Sequence, residues 1–521
     1  MTPRPAPVAE RAAPWWRGAT IYQVYPRSFK DTNGDGVGDL KGCIAGIDHI
    51  ASLGVDAVWL SPFFTSPMHD FGYDVADYRG VDPLFGNLAD FDEFVTRAHA
   101  SSLKVIIDQV YSHTSDQHAW FAESRQSRDN PKADWFVWAD AKPDGSPPNN
   151  WQSVFGGGAW EWDARRRQYY FHNFLAQQPD LNLHNPAVQD AILDVARFWL
   201  ARGVDGFRLD ALNFAMHDPQ LRDNPPRKVF RRPPTRPFDF QDHKFSMSHP
   251  GIPKFLERLR AAIDEFPDRF TVAEVGGERA FDEMKMFTAG DHRLNTAYSF
   301  DFLYAPTLTK ELVIETARRW PEGGEWPSWA FSNHDAPRAI SRWAGACPPD
   351  DYSKLLALLL GSLRGNIFLY QGEELGLQQG EVPFEKLKDP EAITNWPATL
   401  GRDGARTPLP WTENALNAGF SAAEPWLPID ASHVSRAVDR QNRDQQSVLN
   451  FTRRVIAFRK ASAALRLGAI EFLPSPDDVV AFVRSFGPDT TLCVFNIGEK
   501  AAAFTPPDAG DWSIRIETTA Q

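Results

Sequence analysis

Three cysteines in 521 residues, Cys43, Cys347 and Cys493, are too few and too widely spaced for a disulfide framework or a thiolate zinc site. They are read as reduced and structural. No run of about 18 apolar residues occurs, which argues against a membrane-spanning helix and membrane contact. The opening MTPRPAPVAERAAPWW lacks the apolar centre that a secretion signal needs, so a cytoplasmic location is expected. Positive charge is in deficit: 55 Lys and Arg stand against 68 Asp and Glu, a formal net charge of -13. The acidic groups are scattered, not gathered in a tail, so a surface for phosphate backbones is excluded and nucleic acid is not an expected partner. Internal repeats and low-complexity tracts are also missing.

What is present is an ordinary water-soluble composition, 42% hydrophobic and 24% charged, which excludes disordered and fibrous classes. The length exceeds what one core organises, so a large domain with smaller appendages is expected. Short apolar runs bounded by turn residues, as strands buried on both faces require, lie at 19–25, 55–60, 103–110, 204–209, 270–275, 298–302, 329–332 and 367–370. Helical periodicity falls between them at 40–53, 88–99, 255–266 and 352–363. From Asn185, Val188, Ile192, Val195 and Trp199 recur at helical spacing. Eight strands in β/α order predict an α/β fold, a (β/α)8 TIM barrel. Two stretches break the alternation and are rich in Trp, Pro, Gly and Asn. The expected organisation is therefore a barrel part at 1–112, an inserted subdomain at 113–181 after the third strand, the rest of the barrel at 182–371, and an excursion at its mouth at 372–442. A last barrel helix at 443–462 and a C-terminal antiparallel β-domain at 463–521 complete it. The 18 Trp and 37 Phe would suit sugar faces, but most aromatics in a chain this size are core.

Polar residues stand where the apolar strands end: Asp108 and His113, Arg208 and Asp210, Glu274, His334 and Asp335. Any one of these acids alone is better explained as a helix cap or a solvated loop residue. Together they would converge on the barrel face where active sites are built. Breaking a glycosidic bond requires a proton for the leaving oxygen and an electron-rich group at the anomeric carbon, which two carboxyls supply. Arg208 shares a strand face with Asp210 and would hold it ionised as nucleophile. Glu274 would then keep its proton beside that charge and act as acid, then base.

The segments DQVYSH (108–113), GFRLDALNF (206–214), AEVGG (273–277) and FSNHD (331–335) resemble the four conserved regions of glycoside hydrolase family 13, the α-amylase family, and QPDLNLHNP (178–186) resembles its fifth. The order and spacing hold over essentially the whole chain, and the similarity is greatest to the α-glucosidase and oligo-1,6-glucosidase branch. The resemblance implies that Asp210 is the nucleophile, Glu274 the acid/base and Asp335 a third carboxylate gripping sugar hydroxyls. It places Asp108, His113, Arg208 and His334 around the first glucose and Tyr73 beneath it. It pairs Asp70 with an arginine of GRDGARTP to seal the pocket against the terminal 4-hydroxyl. Arg402 is the first choice for that arginine and Arg406 the second. Ala211 follows the nucleophile where 1,6-specific relatives carry Val, which implies α-1,4 preference, with maltose and aryl or alkyl α-glucosides as substrates; the plain alternative is a packing choice.

Ser112 stands where many amylases have Asn, so the amylase calcium site is expected to be missing. A different loop, DTNGDGVGD, sets Asp31, Asn33, Asp35 and Asp39 at alternate positions around Gly36, with the Val37 carbonyl between, like the first part of an EF-hand. Gly42 occupies the usual place of the twelfth-position acid, and an ion-free Asx-rich turn is the plain alternative. The family likeness favours one structural Ca2+, with Mg2+ as the alternative, and no organic cofactor. The expected partner is a small oligosaccharide or α-glucoside, and the expected state a monomer or homodimer. Two other functions are weighed: a transglucosidase, sucrose isomerase or trehalose synthase on the same scaffold, and a non-catalytic binding module, which the presence of all three acids disfavours.

Overall fold

The computed structural model describes residues 13–230, 233–320, 325–397, 401–507 and 512–518. Most of the Pro/Ala-rich arm, residues 1–12, lies outside them. Eight parallel strands close into a barrel: β1 (Thr20–Val24), β2 (Ala57–Leu60), β3 (Lys104–Gln109), β4 (Gly206–Leu209), β5 (Phe270–Val275), β6 (Thr296–Ser299), β7 (Trp326–Ala330) and β8 (Asn366–Tyr370), with β8 pairing back on β1. Successive side chains of a barrel strand point alternately inward and outward. Ile21, Ala57, Trp59, Ile106, Phe270, Val272, Tyr298 and Phe368 form one interior cluster. Tyr22, Val24, Val58, Leu60, Val105, Ile107, Phe207, Leu209, Ala273 and Val275 belong to the layer between sheet and helices. One further step along the inward set, toward the carboxyl ends, reaches Gln23, Asp108, Arg208 and Glu274. The apolar interior is thus capped by a polar tier on adjacent strands. Gly206 makes room for closure, because a Cβ there would sit 2.5 Å from the Phe270 carbonyl oxygen.

The surrounding helices follow from local chemistry. Asn87 and Asp90 form a capping box at the start of Leu88–Ala100, worth about 1 kcal/mol. Helix Pro186–Ala201 begins with an Asn185 cap and proline in its first turn, and it buries Val188, Ile192, Val195 and Trp199 on one side. Trp199 packs edge-on against Phe63 and Phe91, at ring distances of 5.6 and 4.9 Å; such pairs add roughly 0.5–1.5 kcal/mol each beyond area burial.

Three expected elements differ. The helix anticipated at 40–53 is two, Leu40–Ala45 and Ile47–Ser52, broken at Gly46. There the Phe29 ring packs so closely that a Cβ would lie 2.3 Å from it. The sixth strand lies at Thr296–Ser299, not 298–302; Phe300 and Phe302, which suggested strand, pack instead on Tyr304 and on Trp329 and Phe331. The seventh is Trp326–Ala330 instead of 329–332, its beginning hidden by Pro327, a residue usually foreign to central strands.

Between β3 and β4 a small unit contains helix Ala119–Ser124 and an antiparallel sheet of Trp138–Ala139, Trp160–Asp163 and Gln168–Phe171, packed around Val137, Trp151, Trp160 and Phe171. After β8 the chain makes short helical turns over the mouth and returns through helix Val448–Ala461. It ends in an antiparallel sheet of β9 (Ala469–Phe472), β10 (Val479–Phe486) and β11 (Asp489–Asn496). All three cysteines are free, and no helix among the described residues is long and apolar enough to cross a membrane.

Candidate active site

Arg208, inward on β4 and fully buried, organises the polar tier. Its Nη1 donates to Asp108 Oδ1 and Asp210 Oδ1, both at 2.6 Å. Its Nη2 lies 2.5 Å from Glu274 Oε1, an ion pair without hydrogen-bond alignment. One guanidinium fork therefore holds three carboxyl groups from three adjacent strands. Trp59 donates to Asp108 Oδ2 at 3.0 Å.

His334, in the loop after β7, belongs to a directed chain. Gln23 donates to its Nδ1 at 2.8 Å, so Nε2 carries the hydrogen and gives it to Tyr73 Oη at 2.5 Å. Tyr73 in turn donates to Asp108 Oδ2 at 3.3 Å. His113 is fixed by the Tyr73 carbonyl at 3.1 Å and the Ser112 hydroxyl at 2.9 Å. Burial lowers both imidazoles, His334 to about 3 and His113 to about 4, so both are neutral polar groups in neutral solution.

The far side of the tier is closed by arginines from the excursion. Arg402 Nη2 meets Asp70 Oδ1 and Asp389 Oδ1 at 2.8 Å each, and its Nη1 lies 3.4 Å from Asp335 Oδ1. Arg406 donates to Asp335 Oδ1 and to the His334 carbonyl, both at 2.7 Å. Of the two arginines weighed from sequence, Arg402 pairs with Asp70 and Arg406 with Asp335. Gln178 adds a hydrogen bond to Asp70 at 3.2 Å. Sequence reasoning missed Trp59, Gln178, Asp389 and Tyr298 as site neighbours. Strand alternation marks Trp59 and Tyr298 as inward, whereas nothing local marks Asp389.

Burial raises Asp210 and Glu274, each to about 7, against the pull of Arg208. The negative charge of Asp210 adds to the upward shift of Glu274. The aligned 2.6 Å bond from Arg208 favours negative charge on Asp210. Asp108 is raised to about 6 by burial despite Arg208. Asp335 behaves oppositely: burial is overcome by His334, Arg406 and Arg402, which hold it well below the usual carboxylate range. Glycosidic cleavage uses two carboxyl groups, one protonated and one ionised. Ala211, next along the chain, has left-handed backbone (φ 41°, ψ 44°), and its N–H faces Glu274 Oε2 at 3.4 Å.

The acidic loop is closed by its own hydrogen bonds and one from Ser421. Asp31 accepts from the backbone of Asn33, Gly34 and Gly36 at 3.0, 2.8 and 2.9 Å and from Ser421 at 2.5 Å. Asp39 caps the next helix through Gly42 N and binds Thr32. Asn33 and Asp35 pair with each other at 3.0 Å on the exposed side, beside the Val37 backbone. No group of three His, Cys, Asp or Glu side chains among the described residues is arranged to hold a metal.

Paired carboxyls at the carboxyl ends of a closed parallel barrel fit a glycoside hydrolase. The chain belongs to the α-amylase family: the model described as the alpha amylase catalytic domain matches residues 23–468. It is 54% identical over 499 residues to a probable alpha-glucosidase of Rhizobium meliloti (strain 1021), covering 94% of this chain and 90% of that protein. It is 34% identical to an oligo-1,6-glucosidase of Parageobacillus thermoglucosidasius, covering 95% and 92%. Its structure is similar to the crystal structure of an alpha-glucosyl transfer enzyme, XgtA, with a TM-score of 0.92, 53% identity and 96% and 94% coverage.

Proposed function

We propose that the protein is a retaining, exo-acting α-glucosidase that releases glucose from the ends of α-glucosides. The observation that supports this reading is the Arg208 guanidinium, whose Nη1 holds Asp210 Oδ1 at 2.6 Å and whose Nη2 lies 2.5 Å from Glu274 Oε1. Asp210 Oδ2, the oxygen not held by Arg208, attacks the anomeric carbon while the glycosidic C–O bond breaks and the Glu274 proton passes to the leaving oxygen. A glucosyl ester on Asp210 results. Glu274, now a carboxylate, takes a proton from water, whose oxygen displaces Asp210 and restores the α configuration. Asp335 and Arg406 engage the sugar hydroxyls, and the Asp70–Arg402 pair walls off the end of the pocket, which fits single-residue cleavage. Ala211 supports α-1,4 preference, with maltose as the expected substrate.

Glucosyl transfer is a second outcome of the same intermediate, favoured by the likeness to a glucosyl transfer enzyme at 53% identity. A sugar or alcohol hydroxyl then takes the place of water. NMR of the first glucose released from 4-nitrophenyl α-glucoside, whose aglycone contributes no sugar, tests the proposal: α-glucose appears before mutarotation, whereas β-glucose would overturn it. New disaccharides or glucosides in the same spectra would report transfer. Azide rescue assigns the roles, with Asp210→Gly giving β-glucosyl azide and Glu274→Ala giving α-glucosyl azide. The loop at 31–39 is further proposed to take a Ca2+ ion, supported by its hard oxygen donors at alternate positions.

A further inference from the structure

Tyr298 occupies the inward position of β6 and is 2% exposed. It is the ladder partner of Glu274 on β5. Its Oη receives the Arg208 Nε–H at 3.1 Å, and since a guanidinium accepts nothing, the tyrosine hydrogen is free to point to Glu274 Oε1, 3.3 Å away. That same Oε1 has Arg208 Nη2 at 2.5 Å, while Oε2 looks toward the Ala211 amide at 3.4 Å. A proton on Oε1 would confront both the tyrosine hydrogen and a cation. On Oε2 it meets neither.

We propose that Tyr298 is a positioning residue that fixes the transferable proton of Glu274 on Oε2 and, by donating to Oε1, makes the carboxylate accessible for the second half-reaction. This rests on the acid/base reading of Glu274. The charged and titratable groups facing Glu274 are Arg208 and Asp210 from β4, Asp108 from β3, Asp335 after β7, and Tyr298 and Tyr304 from β6 and its following loop. The two tyrosines are the neutral donors of this set, and whereas Tyr304 Oη donates to the Asp335 carbonyl, Tyr298 Oη is the one within reach of Glu274, so its hydroxyl can be removed without changing the net charge of the cluster. The ring also packs on Phe368, at 5.6 Å between centroids, a contact that phenylalanine keeps.

The test compares pH profiles of kcat/KM on 4-nitrophenyl α-glucoside for the intact protein, Tyr298→Phe, and protein with 3-fluorotyrosine at position 298. Loss of the donor moves the basic limb up by about 0.5–1 pH unit and leaves the acid limb in place. The fluorinated ring, a stronger donor, moves the basic limb down. Unmoved limbs, or a fall in kcat/KM that is equal at every pH, would show that the ring merely packs and overturn the proposal. The underlying reading is checked separately with Glu274→Gln on α-glucosyl fluoride, whose leaving group needs little protonation. There the basic limb disappears; its persistence would refute Glu274 as the acid irrespective of Tyr298.

Discussion

Arg402 Nη2 and Asp70 Oδ1 stand 2.8 Å apart although 332 residues separate them in the chain. The contact joins the loop after β2 to the excursion after β8 and closes one end of the polar tier. Asp70→Asn keeps the shape and removes the charge. It is expected to lower kcat/KM for maltose by about 100-fold, roughly 2.7 kcal/mol of transition-state stabilisation. Arg402→Ala has the same kinetic direction and a larger effect on folding. It strands the fully buried Asp389 carboxylate, at a cost of about 3 kcal/mol. Steady-state kinetics and thermal unfolding of both variants check this; undiminished kcat/KM would contradict the sealing role.

The pKa shifts set opposite slopes in stability. Asp210 and Glu274 are raised from ordinary values near 4 to about 7, so the folded state binds more protons than the unfolded chain across that interval. Their contribution is greatest below pH 4 and is lost as pH rises through 7. Asp335 and Asp389 are depressed and act in reverse, contributing above the ordinary carboxylate pKa and losing that contribution as pH falls below it. Asp210→Asn removes one ionising group. The gain in its unfolding free energy over the unmodified protein should therefore grow from pH 5 to pH 8, reaching on the order of 1–3 kcal/mol. A gap that shrinks over this range would reverse the assignment.

Ala211 adopts φ 41°, where a β-branched side chain is strained. Ala211→Val is expected to cost about 1–2 kcal/mol of stability. It should also lower the maltose-to-isomaltose ratio of kcat/KM by about 10-fold, a change of the size that one or two methyl groups produce in a pocket. Competition assays with both disaccharides measure the ratio, and no change would leave Ala211 as a packing residue.

For the loop at 31–39, dialysis against EGTA should lower the unfolding temperature by a few degrees. Calcium at about 100 times its dissociation constant should restore roughly 2.7 kcal/mol. Asp35 is exposed, so Asp35→Ala should abolish the calcium response while lowering the metal-free unfolding temperature only slightly, through loss of its bonds from Asn33 and Val37. Identical melting curves with and without calcium in the parent protein would remove the ion from the proposal.

The barrel was legible because burial on both faces leaves an unmistakable mark, a short apolar run ending in a polar residue. Asp108, Arg208 and Glu274 each end such a run and come together in space. Phe300 and Phe302 misled for the same reason, being apolar through packing on one another's neighbours rather than through the ladder. Pro327 concealed a strand by lacking the donor that strands normally use. Tyr298 lay inside an expected strand, yet its bond to Glu274 depended on a two-residue change in where β6 begins. The contacts of Arg402 with Asp70 and Asp389 arise from loop docking, which no periodicity encodes.

In the proposed function the closed end of the glucose site is borrowed. Arg402 and Arg406 arrive on the excursion, whereas Asp210 and Glu274 are anchored at the barrel wall, so the proposal assigns reach along a sugar chain and bond-breaking chemistry to separate pieces of the polypeptide. Grafting another excursion onto the same wall would turn a cul-de-sac into a thoroughfare without touching either carboxyl.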